Sequence, residues 1–182
     1  SELFGGSVDE HTAVVSVMAA NNETGILQPI AEVADIAKRY GAKVHTDAVQ
    51  AAGKVTIDFP SWDVDFMTLS AHKIGGPQGV GAVVCRDRSL LARFVHGGGQ
   101  EGELRAGTEN VAGIAGFGVA AVGAQAGLER FAALGALRDT LERHMAKLAP
   151  GVVVFGHDQG RLPNTSKIAT PGLSSETQVM GL

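Results

Sequence analysis

A few side chains in this sequence have the types and spacing to do chemistry together. Asn22 follows one short apolar run, Asp47 ends a second, and Ser70, His72 and Lys73 follow a third, with Gln50 three residues after Asp47. In open α/β sheets ligands gather beyond the carboxyl ends of strands, so these residues are candidates for one site. An amine and a carboxylate on adjacent strand tips suit pyridoxal 5'-phosphate. That cofactor needs an amine to form a Schiff base, and an acid to keep its pyridine nitrogen protonated so that the ring accepts electrons from a carbanion. Gln50 is spaced to donate to the ring oxygen, and Ser70 and His72 are phosphate donors. On spacing alone the plainer reading is an exposed Asp47–Lys73 ion pair, which contributes little and does nothing.

The elements that must hold these residues are legible from the pattern. Ala13 to Ala20, Lys43 to Thr46, Asp65 to Leu69 and Val80 to Cys85 read as strands. Pro29 opens a helix with Ile30, Val33, Ile36, Ala37 and Tyr40 on one face, and Gly41 closes it. This alternation predicts an α/β sheet. Beyond Arg105 the chain turns Ala-rich and helical from Asn110 to Leu148, with breaks expected near Gly123, Gly127 and Gly135. Val152 to Phe155 and Thr165 to Ala169 read as strands of a second unit. Residues 1–124 are expected to form part of a large domain, and 125–182 a linking helix and an incomplete small one.

Composition narrows the function classes. With 182 residues, 45% hydrophobic and 19% charged, the chain can bury a core. A net charge of −4 gives no basic surface for nucleic acid or anionic membrane. One cysteine excludes a disulfide framework, and the six histidines show no metal-ligand spacing, so no metal site is expected. No apolar run reaches the length of a membrane span and no secretory signal pattern opens the sequence, so the expected compartment is the cytosol. Glycine, at 25 residues, is roughly twice its usual share of ~7%, as expected where backbone approaches a ligand closely.

The strings ANNETG (20–25), HTDAVQAAGK (45–54), SAHKIGGPQGVGA (70–82) and HGGGQEGELRAGTEN (96–110) resemble, in order and spacing, the cysteine desulfurases of the nitrogen-fixation and iron–sulfur-cluster type, in the class V aminotransferase family. The resemblance implies a three-layer αβα fold-type I large domain, present in part, and the start of a small α+β C-terminal domain. It implies a homodimer with shared active sites that uses pyridoxal 5'-phosphate to convert L-cysteine to L-alanine, leaving sulfur as a persulfide on an enzyme cysteine for an acceptor protein. Carried over by position, Lys73 is the Schiff-base lysine and the base at the substrate Cα. Asp47 partners the pyridine nitrogen, and Gln50 faces the ring oxygen. Ser70 and His72 hold the phosphate, Thr108 does so from the other subunit, and Asn22 helps hold the substrate carboxylate. The rivals are another class V enzyme, a selenocysteine lyase or aminotransferase, or a non-catalytic remnant or partner subunit.

The family's nucleophilic cysteine lies downstream of a segment like LPNTSKIATPG (162–172), and its phosphate loop and ring-stacking histidine lie upstream of Ser1. The sequence therefore resembles the middle of such an enzyme, and these residues alone are expected not to turn over cysteine. Cys85, in the apolar pattern VGAVVCRDR, is expected to be a buried, inert thiol. GFGVAA (116–121) matches a dinucleotide-loop variant, but no strand precedes it, so helix packing is the expected reading.

Overall fold

The computed structural model describes residues 6–181. Four strands form one sheet in the order β1 (Val14–Met18), β2 (Lys43–Asp47), β3 (Phe66–Ser70), β4 (Gly81–Cys85). The first three are parallel and β4 pairs antiparallel with β3. Parallel neighbours need a crossover, and helix α1 (Ile30–Arg39) supplies the one between β1 and β2. Ile30, Val33, Ala34 and Ala37 of α1 are buried, the i, i+3, i+4, i+7 stripe of a helix lying on a sheet. Glu32 in its first turn and Lys38 and Arg39 in its last complement the helix dipole. Gly41, at φ +77°, ends it in the left-handed region. Of the residues expected on the inner face, Ile36 is half-buried and Tyr40 is exposed, because Tyr40 caps the helix instead of continuing it.

The core joins Val15, Val44 and Met67 of the sheet to that stripe. Asp65, 7% exposed, starts β3 by accepting from the Val44 N–H (2.8 Å) and Lys43 Nζ (3.3 Å), which ties β2 to β3. The opposite face, with Val14, Met18 and Val83, is open among the described residues. A one-turn helix α2 (Phe59–Trp62) precedes β3.

After β4, the helical stretch divides into α3 (Val111–Ala126), α4 (Leu128–Ala132) and α5 (Leu134–Leu148). It breaks at Gly127 and Ala133. Gly123 and Gly135, both expected to interrupt it, lie inside helices. Among the described residues no single helix is long and apolar enough to cross a membrane, and α3 is bent by 63° from the stretch that follows. Two short strands, β5 (Val153–Val154) and β6 (Ile168–Ala169), pair antiparallel, and a final helix α6 spans Ser175–Met180. The chain between β5 and β6 returns to the main core. Leu162 is 1% exposed there, and its N–H donates to the Gly25 carbonyl at 2.8 Å.

Candidate active site

The register aligns the carboxyl ends of the parallel strands. Met18 lies opposite Asp47, and Asp47 opposite Thr68. The chain leaves the sheet just beyond this row, in the loops carrying Asn22, Gln50 and Lys73. Ending on Thr68 of that row, a hydrogen-bonded chain crosses three strands. Ser16 Oγ meets His45 Nδ1 at 2.7 Å, and His45 Nε2 meets Thr68 Oγ1 at 3.1 Å.

Asp47 is exposed at the tip of β2. Its Oδ1 accepts from the Val49 N–H at 2.9 Å, a local turn that orients the carboxylate. After β3 the chain forms a one-turn 3-10 helix, Ala71–Ile74, closed by Gly75 at φ +85°. Ala71 is fully buried, its N–H donates to the Val80 carbonyl (3.1 Å), and Gly76 N–H returns to the Ala71 carbonyl (2.8 Å). This closed turn holds His72 and Lys73 outward, both exposed. Ser70 Oγ and His72 Nδ1 are 2.9 Å apart, so the two expected phosphate donors are brought together. With Ser70 donating, His72 Nε2 carries the ring proton and can donate to an anion.

Asp47 and Lys73 form no ion pair with each other, nor with any other group among the described residues. The ion-pair reading therefore fails. Lys73 instead lines a cavity of about 560 Å³ together with Lys54, Gly53 and residues of α3 and α4, and Asp47 does not line it. Gln50 Oε1 accepts from Lys54 Nζ at 2.9 Å. Burial pushes the Lys54 ammonium below the usual lysine value, and the Lys73 charge acts the same way. Lys54 is the residue the sequence reading missed. Its one signal was the i, i+4 spacing from Gln50.

Asn22 is exposed at the turn after β1. Its neighbour Asn21 builds that turn, accepting on Oδ1 from the N–H groups of Glu23 and Thr24, each at 2.9 Å. Thr108 is exposed and makes no hydrogen bond to the other candidates. It sits in a loop braced by Arg105–Glu101 (2.9 Å) and Arg93–Glu103 (3.0 Å) ion pairs. Asn110, just after it, caps α3 by accepting from Gly113 N–H.

Cys85 corrects one expectation. It is half-buried, not buried, because β4 is an edge strand with an open face. It lies opposite Phe66, whereas Ser70 lies opposite Gly81, so the thiol is about 13 Å along the strand from the candidate site. The GFGVAA string lies within α3, as helix packing requires.

The loops bearing Lys54 and Lys73 are clamped by small residues of α3. A Cβ on Gly116 would come 2.6 Å from Pro77 Cγ, one on Gly76 3.1 Å from Ala120 Cβ, and one on Gly53 2.9 Å from Ala124 Cβ. Residues 116, 120 and 124 form one i, i+4, i+8 stripe.

The donor set fits pyridoxal phosphate. Among the described residues it offers an amine with no acid partner, a carboxylate with no cation partner, a hydroxyl and imidazole paired for an anion, and an amide at the next turn. No group of three His, Cys, Asp or Glu among the described residues is placed to hold a metal.

Comparison with known proteins shows which family the chain resembles. A cysteine desulfurase of Sinorhizobium fredii is 43% identical over 176 residues, 96% of this chain and 46% of that protein. The cysteine desulfurase NifS of Azotobacter vinelandii is 43% identical over 176 residues, 96% of this chain and 44% of its own. The chain thus spans about half the length of the curated relatives it matches. The X-ray structure of a NifS-like protein from Rickettsia africae superposes with a TM-score of 0.89 at 38% identity, covering 99% of this chain and 50% of that one. The mixed α/β architecture with its largely parallel sheet is that of these NifS-like proteins. The profile of the class-V aminotransferases matches residues 2–182, and the chain belongs to that family.

Proposed function

We propose that the protein carrying these residues is a pyridoxal-phosphate-dependent cysteine desulfurase, acting on L-cysteine as a homodimer and passing sulfur to an acceptor for iron–sulfur cluster or other sulfur pathways. The observation that carries the reading is the row of parallel strand ends that brings Asp47 to the edge from which the Ser70–Lys73 turn departs. The names of the relatives at 43% identity favour desulfurase over selenocysteine lyase or amino transfer.

Bound pyridoxal phosphate supplies an electron sink for charge developing at the substrate Cα. Residues of this chain would hold that group and handle the proton at the substrate Cα. Lys73 would hold the cofactor through its amine, and that amine is placed to take and return the proton at the substrate Cα. Asp47 would keep a proton on the pyridine nitrogen. Ser70 and His72 would hold the phosphate, and Thr108 would reach the phosphate of the partner site. Gln50 would face the ring oxygen, and Asn22 would contribute to holding the substrate carboxylate. Cys85 takes no part, since it stands at the far end of β4.

Borohydride reduction of the whole protein with pyridoxal phosphate, followed by peptide mapping, should label Lys73. A label on another lysine rejects the assignment. Alanine and sulfide formed from L-cysteine support the desulfurase, whereas transfer of the amino group to a keto acid would favour the aminotransferase.

A further inference from the structure

We propose that Lys54 is a positioning residue of the cofactor site: its ammonium holds the side-chain carbonyl of Gln50, so that the Gln50 amide NH2 is the end presented to the cofactor's ring oxygen. This rests on the pyridoxal-phosphate reading above. A glutamine amide accepts at one end and donates at the other, and whatever grips one end decides which faces a ligand. A lysine ammonium has three donors and no acceptor, so it can grip only Oε1. The contact is short, 2.9 Å, and spans four residues of the tight turn after β2. Nε2 is left as the free end, a donor, which suits an ionised ring oxygen, an acceptor only.

Lys54 is itself held in place. Its N–H donates to the Ala51 carbonyl at 3.0 Å. Gly53 beside it sits at φ +68° and so close to α3 that a Cβ would lie 2.9 Å from Ala124 Cβ. Lys54 is half-buried, has no ion pair among the described residues, and lines the same cavity as Lys73. Burying an ammonium without an acid partner is unfavourable, and its lowered proton affinity reflects this. A half-buried cation whose one side-chain acceptor is a cofactor-facing amide is accounted for by the orientation it imposes.

The test compares four forms of the whole protein: unaltered, Lys54→Met, Gln50→Leu and the double variant, with Lys54→Arg as rescue. Each is titrated with pyridoxal 5'-phosphate, and the absorption band of the bound cofactor is recorded. Lys54→Met should weaken binding about five- to tenfold and displace the band in the same direction as Gln50→Leu. Lys54→Arg should restore most of both, and the double variant should be no worse than Gln50→Leu alone. If Lys54→Met does not fold, Lys54→Gln serves. It removes the charge and can both donate and accept, so it releases the amide's orientation and should shift the band likewise. An unmoved band, or losses that multiply in the double variant, would overturn the role of Lys54 while leaving the cofactor reading intact. No cofactor binding by the unaltered protein would overturn the cofactor reading, and this one with it.

Discussion

Thr46 is fully buried, and its hydroxyl has no hydrogen-bond partner among the described residues. An unsatisfied buried hydroxyl costs about 1–3 kcal/mol, and valine has nearly the same shape. Thr46→Val is therefore expected to stabilise the fold by roughly 1 kcal/mol, read as a higher urea midpoint at unchanged slope. An unchanged or lower midpoint would mean that the hydroxyl has a partner. Arg161 and Glu142 present the opposite case. They form a bidentate pair at 2.7 and 2.9 Å, with side chains 4% and 13% exposed, and Ser166 Oγ donates to the same carboxylate. The Arg161 hydrogen bond holds the Glu142 carboxyl below its ordinary value of 4.5, against the opposing effect of burial, with Ser166 helping. A depressed carboxyl stabilises the fold above its unfolded value and loses that contribution as pH falls through the folded one. Stability should thus be flat above about pH 4.5 on this account and decline below it. Glu142→Gln, which leaves Arg161 without its ionised partner, should cost about 1–3 kcal/mol near neutrality. It should also remove this part of the acid decline. Denaturant melts at several pH values would show both effects.

Helix α3 is apolar on all sides, yet only Gly113 of it is buried. Its contribution to the site is steric, through the small-residue stripe against the loops of Lys54 and Lys73. Glycines on different sides of this helix should respond in opposite ways. Gly118 has nothing within 4 Å of a built Cβ, so Gly118→Ala should gain up to ~1 kcal/mol from helix propensity. Gly116, whose Cβ would overlap Pro77, should lose about 1–3 kcal/mol as alanine. Thermal melts of the two variants check the stripe directly, and equal shifts would refute it. Gly53→Ala should be costly too, because φ +68° and the Ala124 contact both exclude a side chain.

The molecule as a whole exposes more surface than its mass requires. At 18.7 kDa a compact monomer is expected to expose ~8,300 Å², against 11291 Å² here. The excess includes apolar area on the open sheet face and on α3, where Val119 is 76% and Val122 70% exposed. Contiguous apolar surface of this kind drives association. The 182-residue chain, prepared by itself, should bind a hydrophobic dye and self-associate with rising concentration in sedimentation. A dye-silent monomer would show that these surfaces are tolerated in water. Such a preparation is also expected to release no sulfide from L-cysteine, since its one thiol stands away from Asp47, Ser70 and Lys73. Sulfide release that survives Cys85→Ser would contradict this.

Much of the fold was legible because it rests on local signals. The strands appeared as short β-branched runs, and α1 as a 3.6-residue stripe between Pro29 and Gly41. Asn22, Asp47, Ser70, His72 and Lys73 were legible as groups following apolar runs, whereas Thr108, in a polar loop, was named only through the family resemblance. Edges and packing were not legible, because both depend on partners distant in sequence. Cys85 reads as buried from its neighbours, but it is half-buried because β4 is an edge strand among the described residues. Gly123 and Gly135 read as breaks, but helical hydrogen bonds run through them. The sequence alone determined which residue types stand at the strand tips and in what order, because those are properties of one segment at a time. Only the tertiary structure decided that Asp47 and Lys73 do not pair, that Ser70 meets His72, and that Lys54 grips Gln50. Side-chain pairing depends on strand register and on the close approach of α3, which act between segments rather than within one.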